Sequence, residues 1–229
     1  MCRTAVLFAL TLFVSAPAIA QDWTEYRNTR DGFHALFPGQ PTITETTWKA
    51  QTGFILPERV YAARKGRDRY ALRVIDYTGV EQMGLERAKK CPPGSETCVG
   101  SEAISGVGYW KHDVRGALLY ATFSYLKRRD VEVTELYWNQ QDVVQGNVIQ
   151  MINKVDQSRS YVYIAMHEMK LYIAEATVPK DAPEPALFVQ AVGWLDKDGN
   201  SFRYQSLYAH EIHGLREAPV PSASPDYNP

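Results

Sequence analysis

The sequence predicts an α+β fold, a single domain in which a twisted antiparallel β-sheet is flanked by about two helices. Apolar and polar residues alternate with a period of two over many short segments, each bounded by Gly, Pro, Asn or Asp. Only two stretches show helical spacing, too few to supply the crossovers of a parallel sheet. The 229 residues suffice for one domain with its own core, at about 100–200 residues per domain.

The first half of the chain predicts strands joined by short turns. Alternate residues of segment 33–37 are apolar, and Pro38-Gly39 ends that strand. Further strands are predicted over 43–48, 58–65 and 70–77, the last two joined as a hairpin by the polar turn 66–68. Thr78 and Glu81 have the spacing of a capping box, which predicts a helix over 79–90.

The second half predicts more strands and one late helix. Strands are predicted over 116–126, 131–138, 147–153, 161–166 and 170–178. The polar pair His167-Glu168 is expected at the tip of the last hairpin. Pro183 and Pro185 favour the first turn of a second helix, in which Leu187, Ala191 and Leu195 form a stripe. Residues 196–200 end that helix, and 201–208 is expected to be a final strand.

Residues 1–20 have the composition of a signal peptide. Arg3 precedes an apolar run over 5–14, and Ala18-Ile19-Ala20 supplies small residues for cleavage between Ala20 and Gln21. The run is shorter than the roughly 20 residues that cross a bilayer, and no later segment approaches that length. We therefore expect export to a periplasm or the extracellular space, without a transmembrane span. The predicted domain covers 21–217, and the Pro/Ser/Ala-rich segment 218–229 is predicted to be a disordered tail.

The charge balance argues against nucleic acid as a partner. The chain has 25 basic and 26 acidic residues, a net charge of −1, so it has no long-range field that gathers polyanions. The two most basic runs, 64–69 and 127–129, each contain or precede an aspartate. Both are expected to be solvated turn charges.

Cys91 and Cys98 flank a Pro-Pro-Gly turn, which predicts a disulfide in an oxidising compartment. A loop this small contributes about 2–2.5 kcal/mol on the chain-entropy model. The spacing is longer than the Cys-x-x-Cys of thioredoxin-type redox sites.

Three segments resemble PsbP-like domains. They are Gly32-Phe-x-Ala-x-Phe-Pro-Gly39-x-Pro41, Tyr70-x-Leu-x-Val-x-Asp-Tyr77, and the block from Tyr163 to Pro179 with the Phe188 segment behind it. The resemblance spans most of residues 31–205 and implies a PsbP-like α/β/α sandwich. It also implies a binding or accessory role rather than chemistry, and it identifies no functional residue.

Motifs for catalysis or metal binding are incomplete. His210 and His213 are three residues apart with Glu211 between them, whereas zinc peptidases space their histidines by four on a helix. Residues 196–200 place glycine fourth, not sixth as in an EF-hand loop. Ser124 and Lys127 have the Ser-x-x-Lys spacing, but on a predicted strand they point in opposite directions. We predict no catalytic, cofactor or metal residue, and no cofactor.

The leading functional hypothesis is a non-catalytic exported module that binds a protein or an envelope component. The alternative is a secreted hydrolase assembled from His112, His167 or His210 with Glu168 or Glu211. A structural role in a larger assembly would leave a large exposed apolar patch. The five Trp residues, Trp23, Trp48, Trp110, Trp138 and Trp194, are expected to be mostly in the core, but a subset exposed on one face would form a binding platform.

Overall fold

A computed structural model describes residues 23–90, 92 and 109–210, without the side chains of 109–111. The predicted signal peptide with its Ala20–Gln21 cleavage site, the Cys91–Cys98 disulfide, Glu211, His213 and the predicted tail lie outside the described residues. No helix in the described part combines the length and apolar character that crossing a bilayer requires.

The described part contains eleven strands and three helices. The first half comprises β1 (Trp23–Asn28), β2 (Phe33–Pro38), β3 (Thr42–Lys49), β4 (Ile55–Lys65), β5 (Asp68–Asp76), α1 (Val80–Ala88) and α2 (Tyr109–Leu126). The second half comprises β6 (Val131–Gln141), β7 (Val144–Asn153), β8 (Arg159–His167), β9 (Lys170–Val178), α3 (Ala186–Val189), β10 (Gly193–Leu195) and β11 (Ser201–Phe202).

Seven strands form an antiparallel central sheet in the order β3-β4-β5-β9-β8-β7-β6. The β4–β5 and β8–β9 hairpins predicted from alternating residues and polar turns are confirmed. In the two-residue β8–β9 turn, Glu168 and Met169 both have positive φ, 49° and 58°, as a type I′ turn requires. Asp142 and Val143 make the same kind of turn between β6 and β7, at φ 46° and 66°.

A second sheet corrects the prediction of a single one. Its order is β1-β2-β10-β11, so strands from opposite ends of the described chain meet side by side. Gly193 of β10 lies against His34 of β2, and a Cβ on this glycine would stand 2.1 Å from the His34 Nε2 atom. A side chain at this position would therefore displace the His34 imidazole, which lies across Gly193.

The three layers are small sheet, central sheet and helices. Between the two sheets, a core of aromatic residues is fully buried and includes Phe33, Phe37, Tyr61, Phe188 and Trp194. The other face of the central sheet packs on α1 and α2 through Leu56, Ile75, Val114, Ala121 and Ile149. The fold is mixed and mostly antiparallel, as expected, but the layer opposite the long helix is a sheet and one helical turn, not a full helix.

The strand predicted over 116–126 is wrong, because these residues are the second half of α2. Buried Val114, Ala117, Leu118, Ala121 and Tyr125 recur at helical spacing and face the sheet. The opposite face also carries apolar residues, so alternate positions match a period of two as well. Ser124 is consequently on a helix, and its hydroxyl donates a 2.6 Å hydrogen bond to the Ala121 carbonyl.

The second predicted helix is also wrong in extent. Only Ala186–Val189 is helical, and Gly193–Leu195 is strand β10. Buried Gln141 holds this segment to the central sheet, since its side-chain oxygen accepts a 3.0 Å hydrogen bond from the Val192 N–H. The predicted final strand is likewise shorter, Ser201–Phe202.

Helix α1 is confirmed near its predicted position, but the capping box does not form. The residue preceding the first turn is Gly79, without a side-chain cap. The Thr78 hydroxyl instead donates a 2.6 Å hydrogen bond to the Asp76 carboxylate, so Thr78 belongs to an Asx-type turn after β5.

Candidate functional site

The strongest candidate for a binding surface is a groove between the outer side of α2 and strand β6. We call it the apolar groove and define it by Leu119, Phe123, Leu126, Leu136 and Trp138. Its volume is about 450 Å³. Monomeric proteins seldom leave this many large apolar side chains together at the surface, and such patches mark interaction sites.

Helix α2 supplies one wall because it is apolar on two faces. Leu119 and Phe123 follow each other at i, i+4 on the side away from the core, and are 67% and 55% exposed. At the base, the Thr122 hydroxyl accepts a 3.0 Å hydrogen bond from the Asn147 side chain of β7. This contact fixes the helix over the sheet beside β6.

Strand β6 supplies the other wall through an irregularity in its register. The pairing with β7 shifts between Val133 and Glu135, which is a β-bulge. Beyond it, Leu136 lies opposite Ile149 and therefore on the helix side of the sheet. Trp138, two residues on, shares that side and is 63% exposed.

β6 is also an edge strand of eleven residues. No other strand in the described ranges pairs with its outer side, so that row of backbone N–H and C=O groups is open. Its sequence contains neither Lys nor Arg nor Pro, the residues that commonly protect an edge from pairing. It carries Glu132 and Glu135, so the edge presents negative charge. This edge and groove can accept an extended peptide.

The histidines proposed for a hydrolase lie elsewhere. His167 is buried among Tyr172, Trp194, Tyr204 and Tyr208, and its Nε2 atom lies 2.9 Å from the Tyr204 hydroxyl. Burial, with smaller contributions from nearby positive groups, lowers the pKa of His167 to about 3. The imidazole is therefore neutral at ordinary pH.

His210 is buried as well, and its Nε2 atom lies 3.1 Å from the Val114 carbonyl oxygen. Burial lowers its pKa to about 4. Within the described residues, neither this imidazole nor that of His167 contacts a carboxylate. His112 is exposed on α2, and Glu168 occupies the β8–β9 turn, where its N–H donates a 3.2 Å hydrogen bond to the Tyr208 hydroxyl. Neither His167 nor His210 is thus paired with a carboxylate among the described residues, and the hydrolase alternative stays a prediction because Glu211 lies outside them.

One histidine–carboxylate contact was not foreseen. The His34 Nδ1 atom lies 3.1 Å from Glu25 on the adjacent strand β1. The two side chains are 20% and 45% exposed. Glu25 lies directly opposite Leu36, two residues from His34, so the two side chains form a diagonal pair on one face of the small sheet.

The incomplete metal motifs form no site within the described residues, where no group of three or more His, Cys, Asp or Glu is placed to hold a metal ion. Asp196 is a turn residue between β10 and β11, and accepts hydrogen bonds from the N–H groups of Asp198 and Asn200 at 2.9 and 2.8 Å. Of the tryptophans, Trp194 is fully buried and Trp138 is largely exposed.

Solved structures similar to this chain include the solution structure of cyanobacterial PsbP (CyanoP) from Synechocystis sp. PCC 6803, with 10% identity and a TM-score of 0.38. The match covers 74% of this chain and 88% of that one. No protein-family model and no curated protein matches the chain. At this identity and TM-score the similarity assigns neither a family nor a function, and the PsbP-like resemblance stays a prediction from the sequence.

Proposed function

We propose that the chain is an exported binding module that holds an extended segment of a partner protein along β6. The observation that carries the proposal is the coincidence of an open strand edge with exposed apolar side chains beside it. Leu136 and Trp138 project next to the outer edge of β6, with which no other strand of the described ranges pairs. Main-chain pairing gives affinity and neighbouring pockets give specificity in this mode of recognition.

The chemistry of the groove describes the partner segment. The side chains of the partner segment that face α2 would be apolar and would cover Leu119 and Phe123. Burial of this apolar surface would favour binding by about 25 cal/mol per Å². Glu132 and Glu135 lie along the edge, so basic side chains on the partner would complement them. The expected ligand is therefore an extended segment in which apolar and basic residues alternate.

A peptide experiment tests this proposal. A ten-residue peptide alternating Val or Phe with Lys is titrated into the ¹⁵N-labelled protein, and a second titration uses the same peptide with one central apolar residue replaced by Pro. We expect the first peptide to bind with micromolar affinity and to protect β6 amides from hydrogen exchange. The Pro-containing peptide should bind at least tenfold more weakly, because proline removes a ladder hydrogen bond.

Two matched variants locate the surface. Trp138→Ala should weaken binding at least tenfold, because it removes the largest exposed aromatic of the apolar groove. Ile43→Ala, at the other edge of the central sheet and 51% exposed, should leave the affinity within twofold. Equal effects of both variants, or protection confined to β3, would remove the proposal. If the protein dimerises with increasing concentration and Trp138→Ala abolishes the dimer, the segment bound along β6 belongs to a second copy of the chain and not to a different protein.

A further inference from the structure

Positive charge is concentrated at one end of the central sheet. The strand registers bring four segments to this end: 63–69, 127–130, 153–159 and 178–184. Together they contain ten basic and five acidic residues, while the whole chain has 25 and 26. The two basic runs that look like separate turn charges in the sequence therefore belong to one surface.

Within this end, two arginines face each other. Arg64 on β4 lies directly opposite Arg69 on β5, and like charges in opposed positions destabilise a sheet. Among the described residues, neither guanidinium forms an ion pair with a carboxylate, whereas Arg59, Arg73 and Arg128 each do. Within the described ranges, no carboxylate lies within ion-pair distance of Arg64 or Arg69 to offset the repulsion directly.

One carboxylate that attracts Arg69 from a distance is held by other hydrogen bonds. Asp156, in the β7–β8 turn, lies within the field of Arg69. Its carboxylate accepts hydrogen bonds from the Ser158 N–H at 3.0 Å and from the Ser158 hydroxyl at 2.7 Å. These bonds fix the carboxylate in its own turn.

Both arginines line a cavity of about 660 Å³, together with Gln40, Thr42, Thr177 and Glu175. Small Ala62 and Ala71 lie in the next row of the sheet, opposite each other on β4 and β5, and leave the space open. The volume is that of an ordinary small-molecule site. Arg64 and Arg69 thus meet in a concavity, and not on a flat surface.

The one carboxylate in this lining has partners of its own. Glu175 accepts a 2.7 Å hydrogen bond from the Tyr125 hydroxyl, and its other oxygen lies 4.0 Å from Arg128. Glu175 is thereby held toward the end of α2. The positive charge of the arginine pair is consequently left for a ligand.

We propose that Arg64 and Arg69 bind the phosphate group of a phosphate-bearing ligand in this cavity. A phosphate group, which is a dianion in a monoester and a monoanion in a phospholipid, accepts hydrogen bonds from two guanidinium groups at once, so the repulsion between them is replaced by shared attraction to the ligand. Gln40 and Thr177 supply further polar groups in the lining. The same chemistry suits a soluble phosphate ester and a phospholipid head group. This inference does not depend on the apolar groove.

Binding is measured by calorimetry with glycerol 3-phosphate, and by co-sedimentation with phosphatidylcholine vesicles containing phosphatidylglycerol. The test variant is Arg64→Gln with Arg69→Gln. Its control, Lys65→Gln with Arg67→Gln, removes the same charge from the same hairpin but from residues outside the cavity lining. We expect the test variant to lose at least tenfold in affinity and the control less than twofold.

Thermal unfolding gives a second readout that does not require a strong ligand. Without phosphate, Arg64→Gln should raise the unfolding midpoint, because it relieves the repulsion. With saturating ligand the wild type should become the more stable of the two, because ligand binding stabilises the folded state.

The outcomes distinguish a soluble phosphate ester from a phospholipid head group, and a defined site from a diffuse basic surface. Arginine-dependent binding in the soluble arm identifies a phosphate ester, and in the vesicle arm alone it identifies a lipid head group. Equal losses in the test and control variants would indicate a diffuse basic surface and overturn the site, as would an absence of binding in both arms.

Discussion

The hydroxyl of Tyr61 donates a 2.5 Å hydrogen bond to the carboxylate of Asp31, a side chain with no exposed surface. Arg59 donates to the same carboxylate from Nε at 2.6 Å. The Asp31 carbonyl in turn accepts a 2.6 Å bond from Tyr172. Asp31 lies in the β1–β2 turn, so these bonds attach the small sheet to the central one.

We expect Asp31→Asn to lower the free energy of unfolding by about 3–5 kcal/mol, because it leaves the Arg59 charge buried without its counter-ion. Urea denaturation measures the change. Glu45→Gln is the matched control, since Glu45 forms an exposed pair with Arg30 and exposed pairs contribute little. A loss for Asp31→Asn no larger than that of the control would show that the buried pair does not hold the sheets together.

The same carboxylate makes stability depend on acid. Burial raises the pKa of Asp31, but the hydrogen bonds from Arg59 and Tyr61 outweigh it and hold the pKa below its ordinary value. The folded state thus binds this proton less readily than the unfolded state. The contribution of Asp31 is present above about pH 4 and is lost as the pH falls through the folded pKa. The Asp31→Asn variant should lose this part of the acid dependence.

Two buried histidines should make the free energy of unfolding depend on pH in a higher range than Asp31 does. The pKa values of His167 and His210, about 3 and about 4, lie below the roughly 6.5 of an unfolded chain. The unfolded state therefore takes up more protons below pH 6.5, and the free energy of unfolding should fall by up to about 1.4 kcal/mol per pH unit for each histidine.

Urea unfolding between pH 4.5 and 7.5 measures this slope. His167→Gln should reduce this slope by the contribution of one histidine, because one proton fewer is taken up on unfolding. Tyr204→Phe removes the hydrogen bond to His167 but leaves the His167 imidazole buried. This variant should therefore lower the free energy of unfolding without changing its slope with pH. A wild-type stability that stays constant between pH 4.5 and 6.5 would contradict the assignment.

Val143 should be replaceable with a gain in stability. Its φ of 66° is unfavourable for a β-branched residue. Asparagine adopts this region more readily, so Val143→Asn should raise the free energy of unfolding by about 1 kcal/mol. Val155→Asn, at a position 88% exposed and outside the positive-φ region, serves as control and should change little. A destabilised Val143→Asn would mean that the side-chain contacts outweigh the backbone strain.

Gly146 should not tolerate a side chain. A Cβ there would lie 2.4 Å from the Ile164 carbonyl oxygen and 2.6 Å from the Tyr163 ring. We expect Gly146→Ala to cost about 2 kcal/mol or more, because the backbone of β8 has to move. At Gly79 the nearest atom, the end of Met83, is 4.0 Å away, so Gly79→Ala should be nearly neutral. Thermal denaturation of both variants compares them, and similar midpoints would refute the expected clash.

The hairpins were predictable because their information is local. In β8–β9, alternating residues and a polar turn specify the pairing without reference to the rest of the chain. Helix α2 was not predictable in this way, since apolar residues on both of its faces match a strand and a helix equally well. The pairing of Gly193 with His34 joins distant segments, and no local pattern encodes it.

The two candidate sites also depend on strand registers and on contacts between segments that are distant in the sequence. Trp138 was recognisable as an aromatic of interest, but the register shift after Val133 places it beside α2. The basic runs were visible in the sequence, whereas the opposition of Arg64 and Arg69 follows from the hairpin register. The topology brings both features together in space.

The meeting of β2 with β10 sets an order of assembly. The central sheet can complete its hydrogen bonding once β9 has emerged, but the part of its aromatic surface that packs on Trp194 stays open until residues 193–195 arrive. Newly made chains that stop earlier would leave the rings of Tyr172 and His167, which pack on Trp194 of β10, exposed to water. A chain truncated before residue 193 should therefore present an aromatic surface that the longer chain covers.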